Sequence, residues 1–117
     1  MDERRHFTRV QFIAPAQIDI DNKRISSRVW DISLHGILLA MPEEFTPTMG
    51  QSLKLTIPLS DDVDIQMQAE VQRINAISLG LVWHNIDVES LIHLRRLVEL
   101  HSPHSLNKEL EELWQEM

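Results

Sequence analysis

The sequence predicts a mainly β protein: a six-stranded antiparallel β-barrel followed by C-terminal α-helices. Three observations carry that reading. Short stretches between about residues 16 and 86 alternate apolar and polar side chains with period two, as strands do when one face meets a core and the other meets water. Turn-forming residues separate these stretches at short intervals. From Asp87 onward the period changes to that of a helix.

In the first stretch, "AQIDID", Ala16, Ile18 and Ile20 point one way and Gln17, Asp19 and Asp21 the other; Asp21-Asn22-Lys23 then supplies a turn. The returning stretch, Arg24 to about Asp31, alternates more weakly, with Ile25 and Val29 on one face and Trp30 on the other. "GILLAM", Gly36 to Met41, is a continuous apolar run bounded by Gly36 and Pro42, short enough to be a buried strand. Pro42, Pro47 and Gly50 punctuate the loop after it. "LKLTIPL" sets Leu53, Leu55, Ile57 and Leu59 against Lys54, Thr56 and Pro58, and Ser60-Asp61-Asp62 turns the chain. "VDIQMQAEV", Val63 to Val71, is the cleanest alternation, and "SLGLVWHNI", Ser78 to Ile86, is the last strand. Closure of six such strands removes the exposed edges that an open sheet would leave.

Asp87 is a suitable N-cap for a helix in which Val88, Leu91, Ile92, Leu94, Leu97 and Val98 recur at helical spacing to about Leu100. Ser102-Pro103 breaks it. A second amphipathic helix is expected from about His104, with Leu106, Leu110, Leu113, Trp114 and Met117 on one side. It fits either a cap packed on the barrel or a helix docked in a partner's groove. The expected organisation is an N-terminal arm (1–9), a barrel with its following helix (10–101) and a C-terminal helix (102–117).

At 117 residues the chain can bury one ordinary core but not two. No apolar run approaches the roughly 18 residues that span a bilayer, no signal-peptide h-region follows Met1, and cysteine is absent, so a cytoplasmic protein off the membrane is expected. A net charge of -7 disfavours broad attraction to nucleic acid or anionic lipid. Any bound anion must be held by a local cluster.

Such a cluster opens the chain. "RRHFTR" packs Arg4, Arg5, His6 and Arg9 into six positions. Arg5 and Arg9 share a face whether the segment is helical or extended, and when extended they lie about 13 Å apart at roughly 3.3 Å per residue. That separation suits two phosphates, or a phosphate and a base; a solvated basic tail fits equally. The second cluster is "DISLHG". Asp31 offers two acceptor oxygens that match the N1–H and N2–H donors of guanine, Ser33 can donate or accept, and Gly36 allows positive φ or a close backbone approach to a ligand. An ordinary turn between two strands accounts for the same residues.

RxxxR followed some twenty residues later by DxSxxG, within a six-strand pattern and ahead of a helix, resembles the PilZ domain family, from about Arg4 to about Leu100. That resemblance implies a non-catalytic receptor for the bacterial second messenger cyclic di-GMP. Arg5 and Arg9 match the family's paired arginines, and Asp31, Ser33 and Gly36 match its second motif. Guanidinium forks suit phosphate oxygens and guanine O6/N7 better than lysine does. Arg4, directly before RxxxR, resembles relatives that bind a stacked pair of nucleotides, so two ligands per chain are expected. Arg73 lies where relatives can stack a side chain on a guanine; a surface arginine near the Asn75-Ala76 turn is the plain alternative. Relatives commonly carry a Gly followed shortly by an aromatic residue, typically Phe, on the last strand; this sequence has Gly80 with Trp83 instead, and a buried Trp83 in the core is expected to fill that role.

The six histidines show no metal-ligand spacing, and nothing resembles a nucleophile elbow, so neither a metal site nor an enzyme is expected. A receptor without catalysis must pass its signal on, so a downstream protein partner is expected, and the chain is expected to be a monomer. The rivals are a protein-interaction adapter and a small nucleic-acid-binding barrel; the acidic charge and 5% aromatic content count against the second.

Overall fold

Each alternating stretch sends one row of apolar side chains to a common interior, and the chain closes around that row. The computed structural model describes residues 8–101. Arg4, Arg5 and the expected second helix lie outside the described residues. The elements are β1 (Val10–Ile20), β2 (Lys23–Ile32), β3 (Gly36–Ala40), β4 (Ser52–Pro58), β5 (Asp64–Ile74), β6 (Ser78–Ile86) and α1 (Val88–His101). The strands form a closed barrel in the order β1-β2-β3-β6-β5-β4, and every neighbouring pair is antiparallel. Ile18, Val29, Ile37, Leu39, Leu55, Ile57, Ile65, Val71 and Leu79 fill the interior, fully buried.

The first hairpin follows from its turn residues. Asp21 and Asn22 adopt positive φ (51° and 65°), as both central residues of a two-residue type I′ turn must, and Asp and Asn tolerate that region better than most side chains. Beside the turn, Arg24 donates to Asp19 through Nε (2.9 Å) and Nη2 (3.2 Å). These hydrogen bonds hold the Asp19 carboxyl below its ordinary range.

Three features differ from the sequence pattern. β1 begins at Val10, six residues before the clean alternation, because a register shift between Gln11 and Ala14 breaks the period there. Pro15 is tolerated in that strand since β4 pairs only with Gln17, Ile18 and Asp19, which leaves the β4-side edge of residue 15 without a ladder to interrupt. "GILLAM" is not buried on both faces: Ile37 and Leu39 point inward, whereas Leu38 is half-buried on the outside. Leu59 lies beyond β4 and is 37% exposed rather than part of the core.

Helix α1 lies against β5 and β1 and adds Leu94, Leu97 and Val98 to the core. Its buried stripe is narrower than the periodicity suggests, since Val88, Ile92 and Leu100 are exposed. The Asp87 carboxylate accepts from the Ser90 N–H at 3.0 Å, confirming the N-cap, and this bond holds its carboxyl below the ordinary value of 3.8. Ser90 in turn accepts the Gln66 N–H at 2.9 Å, tying the helix start to β5. At the other end the Phe12 and His101 rings meet edge to face, with centroids 6.0 Å apart.

Three substitutions test the start of this helix. Ser90→Ala removes the acceptor of the Gln66 N–H and should cost about 1–3 kcal/mol in urea unfolding. Asp87→Ala should cost about 1 kcal/mol. Because the folded-state pKa of Asp87 is depressed, its contribution is complete above the ordinary value of 3.8 and is lost as pH falls through the folded value. An Asp87→Asn protein should therefore lose less stability on acidification through that range, as read by thermal melts across the acid range.

Candidate functional site

Two β-bulges decide which side chains reach the outer face. In strict alternation Asp31 would share the inward phase of Val29. Instead, the β2–β3 register shifts between Val29 and Asp31, so that Trp30 is the extra residue. Val29 and Ile32 are both buried, and Trp30 and Asp31 both stand on the outside. The same device acts on β5. Its register against β6 shifts between Val71 and Arg73, with Gln72 as the extra residue. Val71 stays inside while Arg73 emerges on the surface opposite Gly80.

The segment joining β2 and β3 is a tight turn built by Ser33. Its Oγ accepts the N–H of His35 (3.2 Å) and of Gly36 (3.0 Å), and its N–H donates to the Gly36 carbonyl at 2.9 Å. The turn between the two strands therefore rests on Ser33, which is 6% exposed. Trp83 secures the turn from beneath: its Nε1–H donates to the Leu34 carbonyl at 2.8 Å. Trp83 is thus half-buried under the loop, rather than a fully buried filling of the barrel core.

Gly36 has no positive φ. What requires glycine is a close approach to the neighbouring strand, because a Cβ at Gly36 would lie 2.7 Å from the Leu81 carbonyl oxygen. The approach is to β6. Gly80 has a different constraint, since its Cβ would come within 3.1 Å of the Arg73 Cβ. Bare backbone at these two positions keeps the outer face of β3 and β6 low.

Two open hollows result. One, of about 430 Å³, runs across β3, β6 and β5, where Arg9, Ser33, Gly36 and Arg73 line it together with His35 and Gln72. The other, of about 470 Å³, lies over β1, β2 and β3 and is lined by Arg9, Gln11, Ile13, Trp30, Asp31 and Leu38. Arg9 and Leu38 border both. Arg9 Nε stands 3.4 Å from Asp31 Oδ1, an ion pair without hydrogen-bond geometry. That oxygen is shielded from solvent and accepts no hydrogen bond.

Among the described site residues, Arg9, Asp31, Ser33, Gly36 and Arg73 thus lie on one continuous outer surface. Trp30, Ile13, Gln11 and Leu38 were not singled out by motif. A half-signal existed for Trp30, which stands on the outer phase of its strand directly before Asp31. Among the described residues no group of His, Asp and Glu side chains gathers as a metal site, and no helix is long and apolar enough to cross a membrane.

This barrel has known counterparts. The PilZ domain model matches residues 3–100. The Bacillus subtilis inhibitor of motility MotI/DgrA superposes with a TM-score of 0.71 at 23% identity, over 92% of this chain and 53% of that one, so the chain spans about half of that protein. The PilZ domain of Escherichia coli YcgR with c-di-GMP gives 0.66 at 18% identity, over 98% of this chain and 100% of that one. The PilZ domain of CeSA from a cellulose-synthesizing bacterium gives 0.63 at 15% identity, over 78% and 94%. At such identities the solved structures establish a shared fold, and the family model extends the match across most of the sequence. With its closed six-stranded barrel, its helix and residues 3–100 matched, the chain belongs to the PilZ domain family.

Proposed function

We propose that this protein is a non-catalytic receptor for cyclic di-GMP. The observation that carries the reading is the gathering of Arg9, Asp31, Ser33, Gly36 and Arg73, distant in sequence, on one outer face of a PilZ barrel. The YcgR domain of the same fold was solved with this nucleotide, which supports the choice of ligand.

In this reading each group has a defined task. The Arg9 fork takes a phosphate oxygen pair or the O6/N7 edge of a guanine. Asp31 accepts from the N1–H and N2–H donors of a guanine. Ser33 acts first through the turn it builds; its O–H, 3.3 Å from the Gly36 carbonyl, is the group for which a ligand can compete. Arg73 stacks its guanidinium on a base. Arg4 and Arg5 join from the arm, so that the nucleotide bridges the arm to Asp31 and Ser33 and orders it against the barrel. A protein partner then reads the altered surface, an output that fits the likeness to a protein named as an inhibitor of motility.

The energetics favour exchange. Arg9 is 56% exposed and its 3.4 Å contact with the shielded Asp31 Oδ1 lacks hydrogen-bond geometry, so the pair contributes only about 0–1 kcal/mol. A bidentate contact from Arg9 to the ligand is worth about 1–3 kcal/mol. The ligand therefore replaces a weak internal partner with a stronger one.

Titration calorimetry tests this. Arg5→Ala and Arg9→Ala should each weaken cyclic di-GMP binding by roughly 5- to 150-fold, and unchanged affinity in both would overturn the assignment. Asp31→Ala should narrow the preference for cyclic di-GMP over cyclic di-AMP. The same titration of the parent protein should give two nucleotides per chain, the number expected from Arg4.

A further inference from the structure

The bulge that turns Asp31 outward also delivers Trp30, for which the motifs assign no task. Trp30 is half-buried on the outer face, between Ile13 of β1 and Leu38 of β3, in the hollow that it shares with Arg9, Gln11 and Asp31. Ile13 is left 60% exposed there. Trp83 commits its indole N–H to the Leu34 carbonyl, whereas the indole of Trp30 makes no hydrogen bond among the described residues. Beside it sits the solvent-shielded Asp31 Oδ1, which accepts no hydrogen bond and faces the Arg9 guanidinium at 3.4 Å.

This combination has the character of a nucleobase pocket: a flat aromatic surface, aliphatic walls and a few polar groups at one edge. Gln11 lies directly across from Asp31 in the strand register, so amide and carboxylate reach the same edge. A guanine presents adjacent N–H donors to that acceptor, whereas adenine presents an unprotonated ring nitrogen at the corresponding position and leaves the carboxylate facing a lone pair.

We propose that Trp30 is the stacking platform for one guanine of the nucleotide, with Asp31 and Gln11 at the base edge and Arg9 on the adjoining phosphate. The second guanine then falls in the neighbouring hollow, beside Arg73. Arg9, the charged residue common to both hollows, sits where the phosphates of a two-base ligand pass from one to the other. This inference rests on the receptor reading above and adds to it a residue that sets affinity and base preference.

Three substitutions, measured by calorimetry with cyclic di-GMP, separate the possibilities. Trp30→Leu keeps an apolar side chain over the strand but removes the ring; Trp30→Phe keeps a ring; Arg9→Ala reports on the rest of the site. Stacking predicts that Trp30→Leu weakens binding by roughly 5- to 150-fold, while Trp30→Phe recovers most of that loss. Thermal melts of each variant identify any loss due to unfolding, and the Leu and Phe proteins retain the apolar cover that Trp30→Ala would remove. If Trp30→Leu binds within about twofold of the parent while Arg9→Ala is impaired, the stacking role is wrong and the receptor reading stands. Equal losses in folded Leu and Phe variants would also overturn stacking, since an aromatic ring would then confer no advantage. If the parent itself fails to bind cyclic di-GMP, the receptor reading falls and this inference falls with it.

Discussion

A closed six-stranded barrel leaves no room inside for a charge, and much else in this protein follows from that constraint. The interior is aliphatic throughout: Ile18, Val29, Ile37, Leu39, Leu55, Ile57, Ile65, Val71 and Leu79 are fully buried there. An unpaired carboxylate or guanidinium among them would carry a heavy desolvation cost. A polar residue that falls in the inward phase must therefore be turned out, and a bulge is the economical device because one extra residue reverses the phase for everything beyond it. Asp31 and Arg73 are both delivered to the surface in this way. The bulges thus let the sheet stay closed and apolar inside while it projects charged groups at chosen points outside.

The low floor between those points has an equally local cause. Gly36 sits where β3 and β6 approach so closely that the Leu81 carbonyl occupies the space of a Cβ, and Gly80 leaves the face opposite Arg73 bare. Leu38, half-buried on the same face, separates two hollows without walling them off. The turn at one end is rigid, since Ser33 accepts two backbone N–H groups and Trp83 holds the Leu34 carbonyl from below. For the ligand proposed above, the backbone there is preorganised and the adjustment is left to exposed side chains such as Arg9.

Most of the architecture was legible in the sequence because alternation is a strong signal where one face is dry and the other wet. β6 and the N-cap at Asp87 fall where the pattern sets them, and β5 begins one residue later than its alternating stretch. The pattern failed where two signals overlapped. Residues 10–15 of β1 read as irregular because the bulge and Pro15 break the period, yet the strand runs through them. β5 extends to Ile74, beyond the alternation that ends at Val71, for the same reason: the bulge at Gln72 reverses the phase. The apolar run of β3 suggested burial on both faces, whereas its outer side borders the hollows. Apolar character does not distinguish a side chain that packs inside from one that borders an open hollow.

The sequence by itself determined the barrel, its order of strands and turns, the capped helix and the two motif segments, since these depend on period, turn chemistry and residue type along a few consecutive positions. Only the tertiary structure decided how the motif residues are used. It assigned Ser33 to the turn, Gly36 to the β3–β6 approach and Trp83 to the support of the loop, and it brought Trp30 beside Asp31 and both beside Arg9. The physical reason is that register shifts and cross-strand contacts join residues far apart in the chain, and a bulge leaves no distinct mark on the residues that form it.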